Sequence, residues 1–407
     1  MCRSKRSTDA LPPRSSRISA SVKPFEFSSR RTSFVPYQQP SGNRFTSTST
    51  TNSSSYNYKD DYKDMELRDT LPENVRVYDF SEIRYATSNF SAKLFSCSSS
   101  SKSWRCLIGG KDVIIFQRKL RQVISDDEEL NKRLSLICKS SHASLIKLLG
   151  ASVSGNYIYI VYEYIHGANL ADCLRNPRNP NFTVLSSWLS RMKIVADLAH
   201  GFDYLHHSTG LNSSIVHKHI KTSSIIISEP GLNAKICHFG TAELRGEGGK
   251  MEQWKRCGSG TMKFGGARGY MSPEYLTTGR PTQKSDVFAF GVLVLEILSG
   301  KEALNYEPSG DGGGYVRVSL IEKAREAVGG GGGGVRRWVD KRVKDSYPVE
   351  VAEKMVRLGL DCVEDDPHER PGMDLVANQI SKMYLESQIW ANKIGFPIDF
   401  TVSLAPR

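Results

Sequence analysis

Paired cysteines are missing from this sequence. Its eight cysteines, at positions 2, 97, 106, 138, 173, 237, 257 and 362, stand singly with no Cys-x-x-Cys spacing. That excludes a disulfide-stapled fold and fits reduced thiols in an intracellular compartment. Long apolar runs are missing too. The longest, 287–298, is interrupted by Glu296 and falls short of the ~20 residues that span a bilayer, so it predicts a buried core helix. Acidic residues are scarce in the first 58 positions, where nine basic side chains face only Asp9 and Glu26. This segment carries +7 of the net +12 of the 407 residues. The remaining body is too mildly basic for a nucleic-acid face, and no nucleic-acid partner is expected. Glycine, finally, is absent from 95–104, which reads Phe-Ser-Cys-Ser-Ser-Ser-Ser-Lys-Ser-Trp.

Residues 1–70 are rich in Ser, Thr, Arg and Pro and poor in adjacent apolar residues, so they predict a disordered basic tail. Two readings stand beside an unmodified tail. Cys2, flanked by Arg3, Lys5 and Arg6, is a candidate for S-acylation and contact with a membrane surface. The Ser/Arg-rich, acid-poor composition also fits an organellar transit peptide, which would direct the chain to the chloroplast. Order is expected from about residue 75. Ile83, Ala86 and Phe90 at helical spacing predict a short amphipathic helix over 78–91. Apolar runs at 113–116 and 157–162 predict strands, and 187–206 and 349–362 predict helices. A small strand-rich part, 75–164, thus precedes a larger helical part, 165–389, followed by an extension over 390–407. Glycine runs at 310–314 and 329–334 predict loops, without the preceding strand that a phosphate-binding loop needs.

One stretch organises the rest: Ile215-Val-His-Lys-His-Ile-Lys-Thr-Ser-Ser-Ile-Ile-Ile227. It resembles the catalytic loop of protein kinases, His-Arg-Asp-Leu-Lys-x-x-Asn between two apolar runs. His142-Ala-Ser-Leu-Ile-Lys-Leu-Leu-Gly150, Ile160-Val-Tyr-Glu-Tyr164, Gly269-Tyr-Met-Ser-Pro-Glu-Tyr275, Lys284-Ser-Asp-Val-Phe-Ala-Phe-Gly291 and Asp366-Pro-His-Glu-Arg-Pro371 extend the resemblance. From the lead-in helix to about residue 389 the chain is similar to plant receptor-like kinases, most of all to the LysM type. With no spanning segment before these motifs, the cytoplasmic members of the group are the expected counterpart. The resemblance implies an α+β fold of two lobes, a strand-rich N-lobe and a helical C-lobe, and protein partners such as receptor kinases or their substrates at the plasma membrane inner face.

It also implies which chemistry should be present, and most of that chemistry is missing. Kinase phosphoryl transfer rests on positioning and charge neutralisation, so each lost charge is a lost device. His219 stands at the base position and Ser224 at a metal-holding position; His238-Phe-Gly240 replaces Asp-Phe-Gly, putting an imidazole where Mg²⁺ prefers oxygen. Val113-Ile-Ile-Phe116 replaces Val-Ala-Ile-Lys, so Ile114 and Phe116 point into the nucleotide cleft and the phosphate-binding cation is gone. A one-residue slip would offer Gln117, whereas Arg118 or Lys119 would need a bulge to point inward. Arg133 stands where the glutamate partner of that cation belongs, with Glu129 one turn earlier. The glycine-free 95–104 segment is a poor phosphate cradle. A zinc site from Cys237, His219 and His238 would draw three ligands from two loops; no metal and no cofactor is expected.

The residues kept are structural ones in the family. They are His217 and Phe239, a stacking pair between loops; Lys221 and Gly240 within the motifs; Glu274 with Arg370, a buried ion pair; Asp286, which holds the catalytic-loop backbone; and Tyr162, Glu163 and Tyr164, the hinge between lobes. The expected function is that of a pseudokinase scaffold. The alternative is an active Ser/Thr kinase with divergent motifs, using ATP and Mg²⁺.

Overall fold

β-Branched residues crowd the strand Lys111–Lys119, and the sheet of the small lobe is built around it. A computed structural model describes residues 76–394 apart from 99–100, 125, 139, 180, 209–214, 248–268, 309–313, 331–332 and 345. The expected tail with Cys2, most of the first glycine run and the chain beyond 394 lie outside the described residues. The strands of this lobe are β1 (Arg76–Val77), β2 (Ser96–Ser98), β3 (Ser101–Ile108), β4 (Lys111–Lys119), β5 (Leu148–Ser154) and β6 (Tyr157–Glu163). They lie in the order β1-β5-β6-β4-β3-β2, antiparallel except for the β1–β5 pair. Gly150 is required here: at φ 149° it lets β1 approach so closely that a Cβ would lie 1.9 Å from the Arg76 carbonyl oxygen.

Helix α1 (Phe80–Ala86) is shorter than the spacing predicts. Asp79 caps it by accepting from the Ser81 amide, and Ile83 is fully buried. It stops because Ser88, Asn89 and Phe90 all take left-handed φ angles of 51°, 54° and 64°. Phe90 still reaches the sheet, but from outside the helix, stacking on Tyr159 and tilting against Trp104. Helix α2 (Asp127–Cys138) crosses the inner side of the sheet and buries Leu130, Leu134 and Ile137.

The large lobe is mainly helical. Its helices are α3 (Leu170–Arg175), α4 (Asn181–Val184), α5 (Trp188–Asp203), α6 (Thr241–Leu244), α7 (Pro273–Thr278), α8 (Gln283–Ser299), α9 (Leu320–Gly329), α10 (Gly334–Trp338), α11 (Val349–Cys362) and α12 (Met373–Ile394). The apolar run 287–298 lies in α8, buried from Ser285 to Ser299, with a Thr282/Ser285 capping box at its start and left-handed Gly300 at its end. In α11 the buried Val351, Met355, Val356, Leu358 and Cys362 make one apolar face. Helix α12 packs along α5, where the Trp188 indole donates 2.9 Å to Ser387 Oγ. It continues unbroken through 390–394, so the expected C-terminal extension begins inside this helix. None of the described helices is long and apolar enough to cross a membrane.

Two further sheets complete the lobe. β7 (Gly167–Asn169), β8 (Ile225–Ser228) and β9 (Ala234–Ile236) form one, carrying the two functional loops on its ends; β10 (Leu304–Pro308) and β11 (Tyr315–Ser319) form a hairpin.

Candidate active site

Asp286, in the first turn of α8, fixes the loop before β8. Its carboxylate accepts from the backbone amides of His217 (2.6 Å) and Lys218 (3.0 Å), and from His206 Nε2 at 3.3 Å. Lys218 is thereby held at φ 65°. His217 is buried, and burial keeps its imidazole neutral by lowering its pKa. Its Nε2 donates 2.9 Å to the Cys237 carbonyl, and its ring meets Phe202 edge-on at 5.7 Å. The tie between the two loops is therefore this hydrogen bond, whereas the sequence pointed to a stack of His217 on Phe239. Phe239 is buried, and its carbonyl accepts 2.6 Å from Tyr162 Oη.

The base position, His219, and one of the two metal positions, His238, come together between the small and large lobes. Their rings meet edge-on with centroids 6.5 Å apart. Burial pushes His219 down to about 3, helped by His217 and Arg118, and takes His238 well below its usual value, with Arg118 and His219 adding to the effect. Both rings are neutral near pH 7. His219 Nε2, His238 Nδ1 and Ser224 Oγ are sealed from solvent without a hydrogen-bond partner. Cys237 turns its thiol toward the Lys235 carbonyl, and burial pushes it up to about 12, which suits a core residue better than a ligand. Among the described residues no group of three or more His, Cys, Asp and Glu is arranged to hold a metal. Two neutral imidazoles and a hydroxyl supply no carboxylate oxygen, so this donor set does not fit Mg²⁺.

Rings fill the space above. Phe116 meets His238 edge-on at 4.8 Å and Tyr162 edge-on at 6.0 Å, giving a continuous ladder Tyr162–Phe116–His238–His219 across the cleft. Ile114 is 5% exposed beneath it. Tyr162 lies at the end of the hinge strand yet is fully buried and bonded to the Phe239 carbonyl, so it fastens the lobes as well as linking them. The other hinge residues have local roles. Glu163 accepts from the Lys147 amide at 3.0 Å, and Tyr164 lies under the Arg105 guanidinium at 3.8 Å.

Arg118 was the residue that sequence reasoning misplaced. β4 keeps an unbroken register with both β3 and β6, so no bulge is present. None is needed, because 114, 116 and 118 share one face of a strand. Counting two residues past Phe116 would have found it. The guanidinium lies 5.1 Å from the Phe116 ring and couples electrostatically to Tyr162, His219 and His238. Burial pushes its pKa down to about 10, which leaves it charged, and its Nη1 is buried without a hydrogen-bond partner. Arg133 on α2 is not aimed at it. That side chain pairs with Glu129 on its own helix and donates 3.3 Å to the Leu244 carbonyl.

The segment after β9 folds back under α2. Gly240 is left-handed at φ 75°, and a Cβ there would lie 2.5 Å from Ile137 Cγ2, so only glycine fits both the turn and the packing. Helix α6 follows at once, with Leu244 fully buried. The Arg245 carbonyl accepts from the Arg121 and Gln122 amides at 2.9 and 3.2 Å, and Arg245 Nε donates 2.9 Å to the Lys119 carbonyl. Glu243 is half-buried in this turn, and desolvation pushes its carboxyl up to about 7.

The bracing groups lie deeper. Arg370 grips Glu274 with two bonds of 2.8 Å, while Ser272 and Ser285 donate to the same carboxylate at 2.7 and 3.0 Å. The Lys221 carbonyl accepts from the Ser224 amide at 2.9 Å, and its charge lies close enough to depress His238. A second buried carboxylate, Glu296, bonds to Arg175 at 2.5 Å and to the Tyr270 hydroxyl. Its only trace in the sequence is a charge inside an apolar run.

Comparison with known families accords with this architecture. The family described as "Protein kinase domain" matches residues 110–383. LysM domain receptor-like kinase 3 of Arabidopsis thaliana is 31% identical over 326 residues, covering 78% of this chain and 48% of the relative. From the same plant, Probable serine/threonine-protein kinase CST is 30% identical over 74% of the chain and 69% of its own length. Cysteine-rich receptor-like protein kinase 1 is 32% identical over 64% of the chain and 39% of its length. The chain spans about half the length of the first of these relatives.

Proposed function

The chain belongs to the protein kinase family, on its plant receptor-like branch, and from that premise we propose that it is a pseudokinase serving as a scaffold or regulatory binding module in receptor-kinase signalling. The observation that carries this reading is the ring ladder Tyr162–Phe116–His238–His219. It occupies the path along which base, metal and nucleotide phosphates would have to meet. A general base adds about 10²–10⁴-fold and needs a positioned phosphoryl group to act on. The residues at 219, 224 and 238 do not fit Mg²⁺ with ATP, so they would not hold such a group against His219. The bracing by Asp286, His217, Glu274 and Arg370 meanwhile supports a stable surface for protein partners, receptor kinases or their substrates. Cys2 and its basic neighbours would hold that surface at the inner face of the plasma membrane.

The test is transfer of radiolabelled phosphate from ATP, with Mg²⁺ or Mn²⁺, to the purified full chain and to a generic protein substrate. No transfer above background is expected. Divalent-dependent transfer abolished by Arg118→Gln would overturn the reading and make the chain an active kinase. Thermal melting with ATP and Mg²⁺ separates a third class, a nucleotide-binding switch, which would show a shift without turnover.

A further inference from the structure

We propose that the β10–β11 hairpin is a self-association edge: the β11 strands of two copies of this chain pair antiparallel about a two-fold axis at Val316, making one four-stranded sheet. This edge uses nothing in the cleft, so it goes beyond the pseudokinase reading and fails separately from it.

A two-stranded ribbon on its own is marginal in water, and this one is exposed on both faces. Tyr306 is 57% exposed, Tyr315 75% and Val316 53%, and Asn305, Glu307, Pro308 and Arg317 are exposed with them. The pairs Tyr306↔Arg317, Glu307↔Val316 and Pro308↔Tyr315 sort the side chains into two sets. Tyr306, Pro308, Tyr315 and Arg317 share one face; Asn305, Glu307, Val316 and Val318 share the other.

The backbone decides which edge is open. The Leu320 amide donates 3.1 Å to the Ala303 carbonyl, so the ladder bonds fall at every second pair from there, at Asn305↔Val318 and Glu307↔Val316. The pairs Tyr306↔Arg317 and Pro308↔Tyr315 turn their backbone groups outward. On β10 that edge is closed: the Tyr306 amide donates 2.9 Å to Asn305 Oδ1, and Pro308 has no amide to offer. On β11 it is open, for the outward amides and carbonyls of Tyr315 and Arg317 have no partner among the described residues.

One register suits a second copy. Both members of a backbone-bonded pair must turn their groups outward, so 315, 317 and 319 can pair only among themselves. Centred on Arg317, the pairing sets that guanidinium against its own copy, which is destabilising. Centred on Tyr315, it sends Arg317 to position 313, beyond the strand; centred on Val318, it runs the second copy into the start of α9 at Leu320. Centred on Val316, it joins Tyr315 of each copy to Arg317 of the other through four backbone hydrogen bonds. One face then reads Tyr306, Arg317, Tyr315, Pro308 across the four strands, and each guanidinium is flanked by two phenol rings. On the other face the two Val316 side chains meet at the axis, in the closer, non-hydrogen-bonded kind of pair, with Glu307 outside them. No like charges stand opposite one another. Five residues from each copy, against the ~20–30 a side of a standard interface, make this a weak dimer governed by concentration.

Sedimentation velocity of the purified full chain over a wide concentration series tests the edge, and a reversible shift from monomer to dimer is expected. Val316→Lys sets two ammonium groups opposite each other on a side chain that is already exposed, and it should weaken the dimer about fivefold or more. Arg317→Pro should weaken it at least as much, because it deletes an outward amide from each copy and spares the hairpin's own ladder. Cross-linking reads the register. Under mild oxidation Val316→Cys should form a disulfide dimer through position 316, whereas Val318→Cys, opposite Gly314 of the second copy, should not; peptide mass spectrometry separates this bridge from any made by the native cysteines. Hydrogen exchange of the wild type needs no variant to fold. The Tyr315 and Arg317 amides should slow as concentration rises, while those of Val316 and Val318, already in the ladder, stay as they are. A chain that remains monomeric at every concentration overturns the proposal, and protection of Tyr315 and Arg317 by some other protein would then give the edge to that partner. A dimer that both Val316→Lys and Arg317→Pro leave intact, or that cross-links equally well from 318, overturns it too. Phosphoryl transfer, in contrast, would sink the pseudokinase reading and leave this one standing.

Discussion

Tyr162 Oη donates a 2.6 Å hydrogen bond to the Phe239 carbonyl, joining the last strand before the hinge to the loop that follows β9. Thr241 Oγ1 lies 3.2 Å from the same hydroxyl. Both partners are buried, so the bond cannot be exchanged for water. Tyr162→Phe would leave a carbonyl unpaired at the lobe junction and is expected to cost about 1–3 kcal/mol. Urea unfolding checks this: the midpoint should fall while the slope stays constant. An unchanged midpoint would mean that the lobes are held together without this contact.

The Glu274–Arg370 pair should be the most sensitive brace in the large lobe. Burial raises the Glu274 carboxyl, but hydrogen bonds from Arg370 and Ser272 outweigh it and bring it down to about 2. Removing the carboxylate strands Arg370, whose side chain is fully buried. Glu274→Ala is therefore expected to cost about 3–5 kcal/mol, the usual result of leaving a buried charge unpaired. Differential scanning calorimetry provides the measurement. For the wild type, a lowered carboxylate stabilises above its unfolded value and loses that contribution as the pH falls toward 2.

The two cleft histidines set a different pH dependence. An imidazole whose folded pKa is depressed stabilises above the unfolded value of 6.5, and that stability is lost as the pH drops, because the unfolded chain takes up protons the folded one refuses. Each should withdraw up to ~2 kcal/mol by about pH 5. Melting temperatures measured between pH 7.5 and 5 should fall more steeply for wild type than for His219→Gln or His238→Gln. Parallel curves would show that the rings are solvated and protonate freely. Glu243, raised by burial to about 7, acts in the opposite sense: its contribution is full below 4.5 and lost as the pH rises through 7. Glu243→Gln should accordingly stabilise at pH 8 and have little effect at pH 5.

The two-lobed fold was legible because its signals are local or periodic. Strand β4 and helix α11 follow from branched residues and from a 3.6-residue apolar repeat, and the buried helix α8 from the apolar run 287–298. The site was legible only as identities. That His219, Ser224 and His238 replace charged or amide groups is plain from the sequence. That Tyr162, Phe116, His238 and His219 form one ladder is not, since they come from strands and loops far apart in the chain. Arg118 was within reach, because period-two alternation places it beside Phe116 on one face. The left-handed 88–90 turn escaped because nothing in Ser-Asn-Phe demands it; it exists to bring Phe90 onto Tyr159.

Restoring the family's catalytic residues one at a time should fail. His219→Asp returns a carboxylate to the base position, but into a cleft where Phe116 and His238 still lie 4.8 Å apart. His238→Asp returns one oxygen ligand while Ser224 still stands at the other metal position. It also removes a ring that Phe116 packs against, so stability should fall along with any gain. Phe116→Lys would place a second cation beside Arg118, while Arg133 stands at the position of its partner on α2 and holds Glu129. Groups that act as a unit are strongly non-additive, and no single one of these variants is expected to raise phosphoryl transfer above the wild-type background. The combination Phe116→Lys, Arg133→Glu, His219→Asp, Ser224→Asn and His238→Asp should gain Mg²⁺-dependent ATP binding by thermal shift, with turnover still limited by the glycine-free 95–104 segment. A single reversion that switches on transfer would show that the cleft is one residue from activity. The ring ladder would then be a replaceable plug rather than the reason for silence.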